Sequence, residues 1–371
     1  MRLVLQGGRL IDPAAGRDGV GDVLIVDGMI TAVGATVDAA GAQVIDCGGA
    51  WVTPGFVDLH SVLKDSRDLD SALKGGFTTV VAAPESVLLR DDRLELLWAA
   101  PLTRKLEGEE LGEIPASAAC LSQGFRPLVK SGVLRRALQY AASSKLLVLH
   151  AEDPTLTLSG VIGISLTATR LGLPASPVAA EAAVVARDLL ILEETGGRLH
   201  FAHLTTARSV ELIRAAKLRG LQVSADVTPH HLTLDDRAAE GYSLEARVWP
   251  PLRSEADVKA LAAGLIDGTI DAVACDHVRV DVLDREHPFE ACAPGCEAFE
   301  KALPAVLGLG LTPVRVVEVL SSAPARLLGL SRGIIVGQRA SLTVLDPGSR
   351  TVDGVVTGAR HTFSSSSGVL T

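Results

Sequence analysis

The chain has 371 residues, of which 47% are hydrophobic and 21% charged, and its formal net charge is −9. This composition is typical of a globular protein with a large core, and the sequence has no Lys/Arg cluster, which argues against nucleic acid or an anionic membrane as a partner. It also has no apolar run near the roughly 18 residues of a membrane helix and begins without a signal-peptide pattern, so we expect a cytoplasmic protein with no membrane segment.

The first 50 residues have the pattern of short strands. The predicted strands are 2–5, 22–26, 30–33 and 43–45. Asp27-Gly28 lies between two of them and is a typical hairpin turn, because both residue types tolerate the left-handed backbone conformation.

From residue 52 onward, short apolar runs alternate with longer amphipathic stretches. The predicted strands are 55–59, 78–82, 117–121, 146–149, 199–202, 222–227 and 272–275, and the predicted helices include 133–143, 179–194 and 207–218. Such alternation favours a parallel sheet covered by helices. At this length it predicts an α/β fold of the (β/α)8 TIM-barrel type.

After residue 326 the strand pattern returns, with predicted strands at 341–345 and 351–356. Neither end of the chain is long enough to fold alone. We therefore predict that residues 1–50 and 326–371 pair into a small composite β domain beside a barrel formed by residues 51–325. The polar tail at 364–368 is predicted to be loose.

The segment PGFVDLHSV, residues 54–62, carries the clearest chemical signal. Residues i and i+2 of a strand face the same way, so a His-x-His pair at a strand end can place two imidazoles on one metal ion. Here His60 occupies the first position and Val62, which cannot coordinate a metal, the second.

Four predicted strands end at a potential metal ligand. These residues are His60, His150, His203 and Asp276. In a β/α barrel such ends converge on one face, where three imidazoles and one carboxylate could together hold one zinc ion.

Several segments occur in one order along nearly the whole chain: PGFVDLH, KGGFTTVV, HAED, GISLTATRLGLP, VTPHHL, PPLR and DGTIDAVACDH. In these segments the chain resembles the bacterial class of dihydroorotases within the amidohydrolase superfamily. The resemblance implies a β/α barrel with a composite β domain, and the interconversion of carbamoyl aspartate and dihydroorotate. It also implies a two-metal centre that activates the nucleophile and an aspartate that moves the proton.

The resemblance assigns roles to individual residues. His60 matches the first histidine of the family's HxH motif, and His150 and His203 match two further metal-binding histidines. Asp276 matches the aspartate that is both a metal ligand and the catalytic acid/base. His230 and His231 match a family motif without a metal-binding role, so we expect them to support or pack the site.

Two metal-binding positions of the family are lost. Val62 replaces the second histidine of HxH, and the family's bridging carboxylate is missing from the segment Ser122-Gln123-Gly124-Phe125. By this assignment one metal position keeps His60 and Asp276 and the other keeps His150 and His203. A catalytic zinc normally has three protein ligands, so we expect one zinc ion at most, or none.

The positions that bind the substrate carboxylate in the family are also altered. Lys64 stands where the family has an arginine, Glu85 where it has an asparagine and Val280 where it has a histidine. Lys64 and Glu85 are the substrate-binding candidates, although Lys64 lacks the bidentate fork of arginine and Glu85 brings a negative charge toward an anionic substrate.

Two functions are compatible with this pattern. In the first, the chain is a non-catalytic dihydroorotase-family protein of pyrimidine biosynthesis that acts as a structural partner of aspartate transcarbamoylase, in a homo- or hetero-oligomer. In the second, it is an active cyclic amidohydrolase that uses a single metal ion held by His60, His150, His203 and Asp276.

Overall fold

The computed structural model describes residues 1–141, 144–358 and 360–363. The strands are β1 (Arg2–Asp12), β2 (Arg17–Val26), β3 (Met29–Gly34), β4 (Gln43–Asp46), β5 (Trp51–Pro54), β6 (Phe56–Val62), β7 (Phe77–Ala82), β8 (Glu95–Pro101), β9 (Cys120–Ser122), β10 (Leu147–His150), β11 (Ile162–Gly163), β12 (Ala175–Ser176), β13 (Leu199–Ala202), β14 (Val223–Val227), β15 (Ala272–Val273), β16 (His277–Val278), β17 (Ser341–Asp346), β18 (Thr351–Thr357) and β19 (Arg360–Phe363). The predicted loose tail at 364–368 lies outside the described residues, as do the last two residues of the predicted helix 133–143.

The helices pack around and between these strands. They are α1 (Ser66–Lys74), α2 (Ser131–Ala141), α3 (Pro154–Thr157), α4 (Leu166–Leu171), α5 (Ala179–Thr195), α6 (Ala207–Leu218), α7 (Pro229–Thr233), α8 (Glu255–Asp267), α9 (Phe299–Gly308), α10 (Pro313–Val317) and α11 (Ala323–Leu327), with short helical turns at Arg104–Leu106, Asp236–Tyr242, Leu244–Ala246, Val282–Arg285 and Glu318–Ser322. Within the described ranges, no helix is both long and apolar enough to cross a bilayer.

A parallel sheet forms the barrel. Its strand order is β15-β14-β13-β10-β9-β8-β7-β6-β16. β15 and β16 are successive pieces of one strand position, since they are separated only by residues 274–276. β15 pairs with β14 and β16 pairs with β6, so the sheet closes on itself with eight strand positions. This architecture confirms the predicted (β/α)8 fold class.

One barrel strand escapes the sequence pattern. β8 has the sequence ELLWAAP, and only Ala99 and Ala100 in it are buried. Its apolar run is too uniform to distinguish strand from helix by periodicity. Pairing with β7 and β9 on its two sides fixes it as a strand.

The two ends of the chain meet in a second sheet with the order β19-β18-β17-β5-β1-β2-β3, in which β4 also pairs with β1. Its core includes Leu3, Ile25 and Leu342, which are buried together. The sheet extends to Pro54, because β5 pairs with both β1 and β17. The assignment of residues 1–50 and 326–371 to a separate domain stays a prediction.

Small apolar side chains fill the barrel, and two leucines cover the end at which its strands begin. Val81 of β7, Cys120 of β9 and Val148 of β10 belong to one buried cluster, against which Leu327 and Leu328 pack. Aliphatic packing therefore closes the end at which the strands begin. The polar strand ends carry the site at the opposite face, which is the usual location in this fold.

Candidate metal centre

Three of the four predicted ligands form a tight cluster at the carboxyl ends of the strands. One ligand atom from each of His60, His203 and Asp276 lies within 4.8 Å of the others. His60 Nδ1 is 3.2 Å and His203 Nδ1 is 3.7 Å from Asp276 Oδ1. All three side chains are buried. The structure thus groups His203 with His60 and Asp276, whereas the family resemblance assigned His203 and His150 to the other metal position.

His150 lies at the border of this cluster. Its ring centroid is 5.3 Å from that of His203, but its Nε2 is 2.8 Å from Glu152 Oε2. Burial raises the pKa of Glu152, but the hydrogen bond and charge of His150, together with hydrogen bonds from Thr157 and Trp249, lower this pKa below its ordinary value. The carboxylate therefore holds the His150 ring in place. The sequence analysis did not identify Glu152, although it lies two residues after a strand-end histidine.

Both His203 and Asp276 have a left-handed backbone, with φ of 45° and 49°. Such conformations are strained for residues with a side chain and need support from their surroundings. Asp226 supplies it at His203: its Oδ1 accepts a hydrogen bond from the His203 backbone N–H at 2.7 Å, while its Oδ2 is 2.8 Å from His200 Nε2. In the sequence, the only indication of this hydrogen bond between Asp226 and His203 is a carboxylate near the end of β14.

Asp58 has the equivalent role beside Asp276. Its carboxylate accepts hydrogen bonds from the Cys275 backbone N–H and from Ser61 Oγ, both at 2.6 Å. Burial raises the pKa of Asp58 to about 6, despite these two hydrogen bonds. The Asp58 carboxylate thus holds the backbone at Cys275, one residue before Asp276. Asp58 lies two residues before His60 on the same face of β6, and this spacing could have identified Asp58 as a supporting residue from the sequence.

The electrostatics favour a neutral imidazole at His203. Burial lowers the pKa of His203 well below its ordinary value, and the neighbouring His150 and His60 lower it further. For His60, burial lowers the pKa but the contact with Asp276 outweighs this and raises it overall. Burial also raises the pKa of Asp276, against the effect of His60. His60 and Asp276 are thus electrostatically coupled to each other, whereas His203 lies among imidazoles that disfavour its charged form.

The residues of the cluster fit one metal ion. His60 Nε2 and both ring nitrogens of His203 are buried and have no hydrogen-bond partner among the described residues. Buried polar atoms without partners are rare and carry a desolvation cost of about 1–3 kcal/mol each. Two imidazoles and one carboxylate are also a donor set that zinc accepts, with a fourth position open.

Among the described residues, the two altered ligand positions of the family hold side chains that do not bind a metal ion. Val62 is buried and pairs with Val278 across β6 and β16, so the two strand ends present apolar side chains to each other. Gln123 is buried as well, and its Oε1 accepts a hydrogen bond from Thr103 Oγ1 at 2.9 Å. The strand end after β9 therefore offers an amide engaged elsewhere and no carboxylate to join two ions.

Phe125 covers the ligands. Its ring packs edge-on against His60, with centroids 5.1 Å apart, and lies nearly parallel to the His203 ring at 6.1 Å. Glu85 holds this segment in place, because its Oε1 accepts a hydrogen bond from the Phe125 backbone N–H at 3.0 Å. Gly124 permits the contact: its φ is +64° and a Cβ there would lie 1.8 Å from Glu85 Oε1. Glu85 thus brings its negative charge to the rim of the site.

The other two altered positions offer no free cation to a carboxylate. Lys64 Nζ is 3.8 Å from Asp281 Oδ2, and both side chains are substantially exposed. Val280 packs against Gly295, where a Cβ would lie 2.5 Å from Val280 Cγ2. The substrate-binding roles of Lys64 and Glu85 stay predictions.

A buried network ties the loop that carries Lys64 to the strand after Asp276. Asp68 accepts hydrogen bonds from the Lys64 backbone N–H at 2.6 Å and from Arg279 Nε at 3.0 Å, and lies 3.2 Å from His277 Nε2. Burial raises the pKa of Asp68, but the bonds with His277 and Arg279 outweigh it and lower the pKa well below its ordinary range.

Asp68→Ala is expected to lower the free energy of unfolding by about 3 kcal/mol, because it leaves the largely buried Arg279 and His277 without their shared acceptor. Asp70→Ala is the matched control on the same helix, since Asp70 is 48% exposed in its pair with Arg93 and should contribute less than about 1 kcal/mol. Urea unfolding of the three proteins measures both values. Equal losses for the two variants would contradict the network's role.

A cavity of about 340 Å³ adjoins the cluster at Asp276. His230 lines it and is only 2% exposed, and neither of its ring nitrogens has a partner in the described part of the chain. Burial lowers the pKa of His230 well below its ordinary value, and the neighbouring His231 lowers it further. His230 is therefore a neutral imidazole that faces the cavity.

His230→Leu is expected to stabilise the fold by about 1 kcal/mol at pH 7.5, because it removes a buried polar group without partners. The gain should increase by up to about 2 kcal/mol at pH 5, since only the unfolded His230 takes up a proton below about pH 6.5. Chemical unfolding at both pH values measures this gain in the free energy of unfolding. His287→Leu, at an exposed position, is the control. A gain that does not increase on acidification would contradict the neutral buried state.

Comparison with models of protein families gives no match. Among individual proteins, the dihydroorotase of Anaeromyxobacter dehalogenans (strain 2CP-C) is 43% identical over an alignment of 381 positions. The alignment covers 93% of this chain and 88% of that protein. The dihydroorotase of Pelotomaculum thermopropionicum is 39% identical, with coverage of 94% and 89%.

Solved structures with the same fold include a D-hydantoinase, which superposes with a TM-score of 0.82 at 19% identity and covers 98% of this chain and 95% of that one. At this identity the likeness concerns the fold. The sequence relatives carry the family assignment, because their similarity extends over nearly the whole chain. The chain therefore belongs to the dihydroorotase family.

Proposed function

We propose that this protein is a member of the dihydroorotase family of pyrimidine biosynthesis that does not catalyse the family reaction. The observation that carries the proposal is the segment after β9, where the buried Gln123 stands in place of a bridging carboxylate and the Phe125 ring packs on His60 and His203. The segment at residues 122–125 therefore has no carboxylate that could bridge two metal ions. An anionic substrate also meets the negative charge of Glu85 at the rim.

We further propose that the chain acts in the cytoplasm as a structural partner of aspartate transcarbamoylase, within a hetero-oligomer. The large apolar core and the closed barrel are retained while the chemical groups of the site are altered, which is expected when a protein is kept for its shape. Supporting residues such as Asp226 and Asp58 still hold the strand ends in place.

The partnership is tested by mixing the purified chain with the aspartate transcarbamoylase chain of the same organism at about 10 μM, followed by size-exclusion chromatography with light scattering. A co-eluting complex of fixed stoichiometry is the expected result. An unrelated β/α barrel of similar size is the control. Separate elution of the two proteins, with no effect on transcarbamoylase activity, would contradict the proposed partnership.

A second function is favoured by the ligand cluster itself. His60, His203 and Asp276 provide three ligand atoms within 4.8 Å, which suffices for one catalytic zinc ion. A zinc ion held there would polarise a substrate carbonyl. Asp276, whose pKa burial raises, would move the proton, and the neutral His203 would stay a ligand throughout. The substrate would be a cyclic amide with less negative charge than dihydroorotate.

The two functions are separated by assays of the zinc-supplemented chain with hydantoin and dihydrouracil, two uncharged cyclic amides. Turnover that disappears in Asp276→Asn would support the single-metal hydrolase. The first function predicts no turnover above that of the Asp276→Asn variant with either compound.

A further inference from the structure

The cavity beside Asp276 has walls that do not suit a charged ligand. Of its lining residues, Phe125, Val248, Trp249, Val278 and Pro294 are apolar or aromatic, and none is a lysine or arginine. The only carboxylate in the lining is Asp276, which offers no positive charge to an anion. Binding pockets of this size and composition take their ligands mainly by apolar contact, with a few polar groups that set the orientation.

Nearby cations are engaged elsewhere or do not line the cavity. Arg279 donates to Asp68 and Asp65, and Lys64 lies beside Asp281. Arg247 directly precedes Val248 and is buried with two guanidinium nitrogens unpartnered among the described residues, but it does not line the cavity. Lys301 Nζ lies 3.5 Å from Sγ of the lining residue Cys296, but Lys301 too is outside the lining. A ligand carboxylate in the cavity would therefore be desolvated with no lysine or arginine side chain in the lining to pair with it.

His230 supplies the polar edge of the cavity. A neutral imidazole has one N–H donor and one nitrogen acceptor. Both nitrogens of His230 are buried at the lining without a partner among the residues that the structure describes. They match a ligand with a donor and an acceptor on one edge. The aromatic side chains of Phe125 and Trp249 in the same lining suit a flat ring, which they can contact by stacking.

We propose that this cavity binds a neutral, flat heteroaromatic ring with an N–H and a carbonyl group on one edge, which pairs with His230 while the ring contacts Phe125 and Trp249. The ligand thus differs from carbamoyl aspartate and dihydroorotate, which both carry carboxylates. This binding site goes beyond the proposed function, since it requires neither turnover nor a partner chain.

The proposal is tested by isothermal titration calorimetry of the full chain in buffer that contains a chelator, so that no ligand can coordinate a metal. The probes are 2-quinolone, a neutral bicyclic lactam, and 2-quinolone-4-carboxylate, which differs from it by one carboxylate. We expect saturable 1:1 binding of 2-quinolone and at least tenfold weaker binding of the carboxylate. No saturable binding of 2-quinolone, or equal binding of both probes, would overturn the proposal.

Variants locate the bound probe. His230→Leu, which conserves approximate volume, should weaken 2-quinolone binding at least tenfold while its melting temperature is no lower than that of the unmodified chain. Val278→Arg places a cation at the half-buried wall and should reverse the preference toward the carboxylate. Val282→Arg, at a position that is 76% exposed and outside the cavity, is the control and should leave both affinities unchanged. Unchanged binding in His230→Leu would overturn the assignment of the polar edge.

Discussion

Supplied with zinc, the purified chain is expected to hydrolyse dihydroorotate, and to cyclise carbamoyl aspartate, at least about 10⁴-fold more slowly than the dihydroorotase of Anaeromyxobacter dehalogenans, which is 43% identical to it. A factor of 10⁴ corresponds to about 5.5 kcal/mol of transition-state stabilisation. Loss of one ion from a two-metal centre alone removes several kcal/mol of charge stabilisation. The Phe125 ring over His60 and the carboxylate of Glu85 at the rim add steric and electrostatic barriers.

The two enzymes are assayed side by side in both directions by the absorbance of dihydroorotate. The relative serves as the positive control under identical zinc concentrations. Asp276→Asn of this chain sets the background, because it removes the candidate acid/base while it preserves the shape of the side chain. A rate within about 100-fold of the relative, lost in Asp276→Asn, would contradict a non-catalytic role.

Removal of one ligand is expected to reveal which residues hold the metal. His203→Ala should lower zinc affinity about 10³-fold, because it leaves only His60 and Asp276 of the three clustered ligands. His150→Ala is the matched comparison, since His150 is equally buried but is bonded to Glu152. It should cost no more than about tenfold, the lower end of the range for residues that act through a neighbouring ligand.

Competition with a fluorescent zinc chelator measures these affinities, and circular dichroism verifies that each variant is folded. Equal losses for His150→Ala and His203→Ala would contradict a three-residue site and favour four ligands around one ion. Unchanged affinity in His203→Ala would place any bound zinc elsewhere.

Much of the barrel follows from the alternation of short apolar runs with amphipathic helices. The predicted helix 207–218 coincides with α6, and the predicted strand 199–202 with β13. The sequence pattern missed β8 and the two-residue strand β16, because neither contains enough alternation to be distinguished locally. Pairing with neighbouring strands determines both, so they depend on contacts between residues far apart in the chain.

The candidate site divides in the same way. Four strand-end positions were predicted because ligand-type residues follow apolar strands, and the structure brings three of them together. Their grouping depends on the left-handed backbone of His203 and Asp276, which turns each side chain in a direction that residue spacing does not encode. Asp226 and Glu152 were missed because their roles consist of hydrogen bonds to groups that only the folded chain places beside them.

The central claim is that the chain retains the fold of its family but not a two-metal centre. Native mass spectrometry of the folded chain, titrated with zinc, tests it by counting the ions bound to each molecule. One zinc ion or none at saturation is the predicted result, since His60, His203 and Asp276 form one site and no carboxylate at Gln123 builds a second. Two tightly bound ions per chain, both released by substitution of these ligands, would contradict it.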